Sequence, residues 1–204
     1  DRGFSVTQHV EKQLIPLLRS IGEPVALAGY CLGGTIAAAA AQAVPVRGLA
    51  LIAAPWRFAN FGAEALERID AIWRAAHGTC DVLGLVPMEV LQAGFWQLDP
   101  ARTIAKFEKF GRLDPASAAA KNFVVLEDWA NAGAPLTYAA GRQLFDDFFT
   151  ADLPGRGQWR VAGQAVTPLA LPCPTVEFVS LTDRIVPAAS AVGFADQRKL
   201  RLGH

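Results

Sequence analysis

The sequence has little cysteine, little histidine and no excess of charge of either sign. Its 204 residues include three Cys and three His, and 19 basic side chains balance 19 acidic ones. An odd, widely spaced set of cysteines argues against a disulfide framework and is typical of a reducing cytoplasm. No CxxC or His-x-x-x-His pair indicates zinc, and no basic block favours nucleic acid or an anionic membrane. We therefore expect no metal, no nucleic-acid partner and a cytoplasmic location.

The sequence also lacks a long uninterrupted hydrophobic run, and its first residues show no signal-peptide pattern. Residues 25–46 carry no charge, but glycines and Pro45 interrupt them and alanine fills the second half. This pattern favours a strand, a turn and a buried helix over a transmembrane segment. The first residues, Asp-Arg-Gly-Phe-Ser, resemble no signal peptide and include no initiating Met, so we expect the biological start to lie upstream.

Short apolar runs bounded by Gly or Pro predict buried strands. They cover residues 25–28, 47–54 and 175–180, with 199–202 as a fourth candidate. Because helical segments rather than two-residue turns separate these runs, we expect the strands to pair in parallel. The predicted fold class is therefore α/β.

Between residues 55 and 173 the pattern changes to amphipathic helices, and no run in it is typical of a buried strand. We interpret this stretch as a helical cap or lid inserted into the α/β core. Residues 1–54 and 174–204 are then the two parts of that core. The cap is expected to cover the open end of the sheet, where loops usually build a pocket.

The segment Gly29-Tyr-Cys31-Leu-Gly33 places a nucleophile between two glycines, after a predicted strand and before a predicted helix. This is the context of a nucleophile elbow. We expect a strained backbone at Cys31, and a collision if a β-carbon stood at position 29 or 33. The helix N-terminus favours a thiolate, and the Leu32 amide is the natural first oxyanion donor. The alternative is an inert buried thiol beside a structural glycine-rich turn.

A thiol nucleophile needs a base and a residue that orients the base. In the elbow architecture the chain order is nucleophile, acid, histidine. His9 precedes the elbow and His77 lies in the insertion, which leaves His204. Asp183 follows the predicted strand 175–180 and stands between Cys31 and His204 in the chain. A lone Asp at such a place is otherwise a helix cap or a turn residue.

These residues resemble the polyhydroxyalkanoate synthases, cysteine-dependent members of the α/β-hydrolase superfamily. The resemblance is carried by Gly29-Tyr-Cys-Leu-Gly-Gly34, residues 123–129, 159–163 and 183–187, and Gly203-His204. It implies an α/β-hydrolase-like parallel sheet with a helical cap. It also implies transfer of a 3-hydroxyacyl group from coenzyme A to Cys31 and then to the hydroxyl of a growing polyester. In this reading His204 is the base and Asp183 orients or assists it.

The implied partners are 3-hydroxyacyl-coenzyme A and the polyester chain, with the thioester as substrate and no other cofactor. Association with polyester granules and a homodimer are both compatible with the resemblance. The sequence departs from the family because upstream strands are missing, the stretch from Asp183 to His204 is short, and the sequence stops at that histidine. We therefore expect a sheet incomplete at its N-terminal side, with the first strand as an exposed edge.

Two other functions stay open. The elbow also resembles that of dienelactone hydrolases, which favours a Cys-dependent hydrolase of a lactone, ester or thioester. A non-catalytic relative that binds polyester granules or a synthase is the second alternative.

Overall fold

The computed structural model describes residues 3–200. Four strands form the main sheet: Ala26–Tyr30 (β1), Gly48–Ile52 (β2), Thr175–Ser180 (β7) and Gln197–Leu200 (β8). Their order is β1-β2-β7-β8, and each neighbouring pair is parallel. The predicted α/β class is confirmed, and β7 has the predicted bounds.

Two small antiparallel pairs lie outside this sheet. They are Leu85–Val86 (β3) with Leu136–Thr137 (β4), and Arg160–Val161 (β5) with Gln164–Ala165 (β6). Both pairs fall within the stretch in which the sequence predicts helices alone.

Helices make up most of the remaining ordered structure. The α-helices are Val6–His9 (α1), Ile15–Ser20 (α2), Leu32–Ala43 (α3), Ala63–Leu83 (α4), Met88–Leu98 (α5), Pro100–Phe110 (α6), Ala118–Asn131 (α7) and Tyr138–Arg142 (α8). A π-helical turn, Val10–Leu14, joins α1 to α2, and a second, Gln143–Thr150, continues α8. Among residues 3–200, no helix is both long enough and apolar enough to cross a bilayer.

Small side chains let α3 pack closely on the sheet. Ala38, Ala39 and Ala40 are fully buried in the main core, together with Leu51 of β2. Alanine protrudes little, so the helix axis can approach the strands without leaving voids. This close packing fixes the direction in which the chain turns from β1 into α3.

The ends and the middle of the stretch 55–173 pack differently. Phe58 near its start and Trp159 near its end belong to the same buried cluster as α3. The Trp159 indole nitrogen also donates to Thr7 Oγ1 at 2.8 Å. In the middle, the buried residues of α4 belong to a second cluster, and α6 and α7 are largely exposed and contact each other through stacked Phe110 and Phe123. The domain boundaries at 55 and 173 stay a prediction, and within them α4 to α7 lie apart from the main core.

Candidate active site

Cys31 forms a strained turn between β1 and α3. Its φ is 52° and its ψ is −131°, in a region that non-glycine residues rarely adopt and that costs about 1–3 kcal/mol. The Cys31 amide donates to the Ile52 carbonyl at 3.0 Å, and its carbonyl accepts from the Gly34 amide at 2.9 Å. These bonds hold the turn from the sheet side and from the helix side. The strained backbone expected of a nucleophile elbow is therefore present.

The close approach of strand and helix uses Gly29 and Gly34. A β-carbon at position 29 would lie 2.4 Å from Gly34 Cα, and one at position 34 would lie 2.4 Å from Ala54 Cβ. At Gly33 a β-carbon would meet no atom within 4 Å. The expected collision at position 33 is wrong, because Gly33 is exposed while Gly34 is the buried residue in the first turn of α3.

The Cys31 thiol is partly buried, and its pKa is raised. Desolvation is the main cause, since an apolar surrounding disfavours the thiolate. A hydrogen bond with the Leu32 amide acts in the opposite direction, and the negative charge of Asp183 raises the pKa further. The helix N-terminus therefore does not by itself produce the thiolate that the sequence leads us to expect. A Cys31 nucleophile at neutral pH needs a base.

Asp183 lies in the loop after β7 and acts on Cys31 through its charge. Its Oδ1 accepts from the amides of Ile185 at 2.8 Å and Val186 at 3.1 Å. These two bonds form a turn, as expected of a lone Asp that follows a strand. Because β1, β2 and β7 are parallel, the loops that follow them meet at one edge of the sheet. The fold thus brings Cys31 and Asp183 to the same edge.

His204 lies outside the described residues, and β8 ends four residues before it. The other two histidines make local contacts. His9 Nδ1 lies 2.8 Å from the Ser5 carbonyl oxygen, and the His77 ring lies 5.9 Å from the ring of Trp73. His9 is half-buried in α1, and His77 is exposed on α4.

Two features near the site escape sequence reasoning. Tyr30 directly precedes Cys31, and its pKa is raised by desolvation and by the charges of Cys31 and Asp183. Arg184, the neighbour of Asp183, pairs with Asp99 at 3.2 Å. Asp99 also caps the N-terminus of α6. Its position before a proline is a typical helix-start signal, but the partner 85 residues away leaves no local pattern.

Two curated proteins are similar to this chain in sequence. The poly(3-hydroxyalkanoate) polymerase subunit PhaC of Haloferax mediterranei is 28% identical over 181 residues, which is 87% of this chain. The protein of the same name from Haloarcula marismortui is 24% identical over 181 residues. The chain spans 37% and 38% of the lengths of these relatives. The resemblance to polyhydroxyalkanoate synthases is confirmed, although no protein-family model matches the chain.

Two solved structures match this chain with TM-scores below 0.5. A monoacylglycerol lipase of Paleococcus ferrophilus has a TM-score of 0.47 and 14% identity, covering 97% of this chain and 65% of its own. A homoserine O-acetyltransferase of Staphylococcus aureus has a TM-score of 0.48 and 13% identity, covering 98% of this chain and 58% of its own. The parallel sheet, the elbow and the flanking helices agree with the predicted α/β-hydrolase-like fold class.

Proposed function

We propose that this chain carries the nucleophilic centre of a polyhydroxyalkanoate synthase. Cys31 accepts a 3-hydroxyacyl group from coenzyme A and passes it to the hydroxyl end of a growing polyester. The observation that carries the proposal is the strained backbone of Cys31 between β1 and α3. The sequence similarity to two polymerase subunits supports this choice of reaction.

In the first step Cys31 Sγ attacks the thioester carbonyl, and coenzyme A leaves as a free thiol. The proton of Cys31 passes to His204 and from there to the leaving sulfur. One thioester bond forms as another breaks, so the acyl group keeps its activation for attack by an alcohol. A serine ester would lose that drive, which gives a chemical reason for sulfur at the elbow.

In the second step the acceptor hydroxyl attacks the acyl carbonyl on Cys31. His204 takes the hydroxyl proton, an ester bond forms as the thioester bond breaks, and the proton passes from His204 to the departing Cys31 Sγ. The Leu32 amide is the first donor to the oxyanion of both tetrahedral intermediates. Asp183 orients His204 and stabilises its charged form. The raised pKa of Cys31 is consistent with this division of roles, because the thiol depends on a base.

Helices α4 to α7 would restrict the access of water to the acyl-enzyme, which a polymerising enzyme needs. A cytoplasmic location, association with polyester granules and a homodimer extend the same proposal. They are tested by localisation of a tagged chain in polyester-forming cells and by the molar mass of the protein in solution.

The test uses purified protein and 3-hydroxybutyryl-coenzyme A. We expect free coenzyme A to be released and insoluble polymer to form. Cys31→Ala should lower the release at least 10³-fold, because no other group replaces the nucleophile. Cys173→Ala is the matched control, since Cys173 is also a partly buried free thiol, and it should stay within twofold of the wild type.

The products also separate the alternatives. Release of free 3-hydroxybutyrate without polymer would assign the site to a Cys-dependent hydrolase. Unchanged coenzyme A release in Cys31→Ala would contradict a role for Cys31 in either reaction. A Cys31 thiol that alkylates no faster than Cys173, together with no turnover, would favour the non-catalytic alternative.

A further inference from the structure

Glu177 is a fully buried carboxylate in the middle of β7, with 1% of its surface exposed. Acidic side chains are rarely buried unless an ion or a set of hydrogen bonds compensates the charge. Within residues 3–200, none of the ion pairs involves Glu177. Its compensation therefore comes from hydrogen bonds.

Four donors surround the Glu177 carboxylate. Oε1 accepts from the Val192 amide at 2.8 Å. Oε2 accepts from the amides of Gly193 at 2.9 Å and Phe194 at 3.3 Å, and from Gln197 Nε2 at 3.0 Å. Three of the donors are consecutive backbone amides in the connection that leads into β8, and the fourth, Gln197, is the first residue of β8. Charge-assisted bonds of this kind are short and about twice as strong as neutral ones.

Strand β8 has few other attachments. Its residues pair with β7 through the backbone, with Gln197 opposite Glu177. Of its four side chains only that of Gln197 is partly buried, and the other three are exposed. Apolar packing therefore contributes little to its position, and the buried carboxylate holds its N-terminal end. The same carboxylate also fixes the second half of the loop whose first half contains Asp183.

We propose that Glu177 is a positioning residue for the reaction. This proposal rests on the function proposed above. It fixes β8 against β7, so that the chain leaves the sheet at the edge where Cys31 lies and reaches His204 four residues later. Glu177 acts through this connection and does not touch the reacting atoms. We expect a looser connection to make proton transfer from Cys31 to the proposed base less efficient, while the elbow that holds Cys31 keeps its structure.

Glu177→Gln tests the proposal, because it keeps the shape but turns one acceptor into an amide donor that faces backbone amides. We expect kcat to fall 10- to 100-fold with KM within twofold, since substrate contacts are unchanged. Alkylation of Cys31 at pH 7 should slow at least fivefold, and its pH profile should move to higher pH. Hydrogen exchange of residues 192–200 should accelerate at least tenfold.

Asp152→Asn is the matched control. Asp152 is also a buried carboxylate, and its Oδ1 accepts from the amides of Phe58 at 2.8 Å and Gly155 at 3.2 Å. Its donors lie outside the β8 connection. The control should lose stability to a similar extent while the Cys31 alkylation profile stays unchanged.

The outcomes are distinguishable. If the wild type turns over and Glu177→Gln keeps its kcat and alkylation profile, the positioning role is refuted and the proposed function stands. If the wild type shows neither turnover nor a reactive Cys31, both fail. Should Glu177→Gln not fold, Gln197→Ala removes one donor and should produce the same changes, two- to fivefold in size. An unchanged alkylation profile in that folded variant would also refute the positioning role.

Discussion

The packing at the elbow predicts opposite effects for alanine at neighbouring glycines. In Gly29→Ala the new β-carbon lies 2.4 Å from a backbone atom, Gly34 Cα, and within 2.6 Å of two more backbone atoms. Backbone atoms of β1 and α3 cannot swing aside as a side chain can. Overpacking a core by single methyl groups typically costs about 1–3 kcal/mol, and we expect this site to reach at least the upper end.

Gly33→Ala is the control at the same turn. Its β-carbon meets nothing within 4 Å, and alanine has a helix propensity about 1 kcal/mol better than that of glycine. We therefore expect unchanged or slightly increased stability. In a domain of this size 1 kcal/mol shifts the Tm by about 2–4 °C, so Gly29→Ala should lower the Tm by about 6–12 °C while Gly33→Ala leaves it the same or higher.

Thermal unfolding followed by circular dichroism, with urea unfolding as a second measure, checks both variants. Equal losses at positions 29 and 33 would refute the assignment of the close contact to Gly29 and Gly34. A stable Gly29→Ala would show that strand and helix lie farther apart than described here.

Two further predictions concern charge and packing. In a His204→Ala background, Asp183→Asn should lower the pKa of Cys31, because it removes a negative charge that disfavours the thiolate. The initial rate of iodoacetamide labelling, measured as a function of pH, reports this pKa. A labelling profile displaced to higher pH would contradict the prediction. Phe148→Ala should lower the free energy of unfolding by about 3–5 kcal/mol, because Phe148 is fully buried. Val125→Ala, at a side chain with 68% exposure, should change it by less than about 0.5 kcal/mol. Urea titrations that rank the two variants the other way would contradict the described core.

The elements next to Cys31 could be predicted because their signals are local. An apolar run, a glycine pair around a nucleophile and an alanine-rich helix are contiguous, and β7 has the bounds that its flanking residues predict. The sequence does not predict whether Gly33 or Gly34 makes the close contact with the sheet. It depends on which side of α3 faces the sheet, and this rotation is set by packing against Ala54, in the segment that follows β2.

Long-range contacts account for most of what sequence reasoning missed. The burial of Trp159 beside the N-terminal helix depends on a hydrogen bond to Thr7, 152 residues away. The donors to Glu177 come from the loop before β8 and from the first residue of β8, 15–20 residues later in the chain. The sequence predicts a buried strand at β7, but the burial of Glu177 in it is explained only by the loop that folds back over the carboxylate. Sequence reasoning also missed that burial raises the pKa of Cys31 by more than the Leu32 amide lowers it.

The most direct measurement is the mass of the Cys31 peptide after brief exposure of the protein to 3-hydroxybutyryl-coenzyme A and an acid quench. We expect a 3-hydroxyacyl adduct on Cys31 that is sensitive to hydroxylamine and absent in Cys31→Ala. An unmodified Cys31 peptide in a protein that nevertheless releases coenzyme A, or an adduct on Cys80 or Cys173 instead, would contradict it.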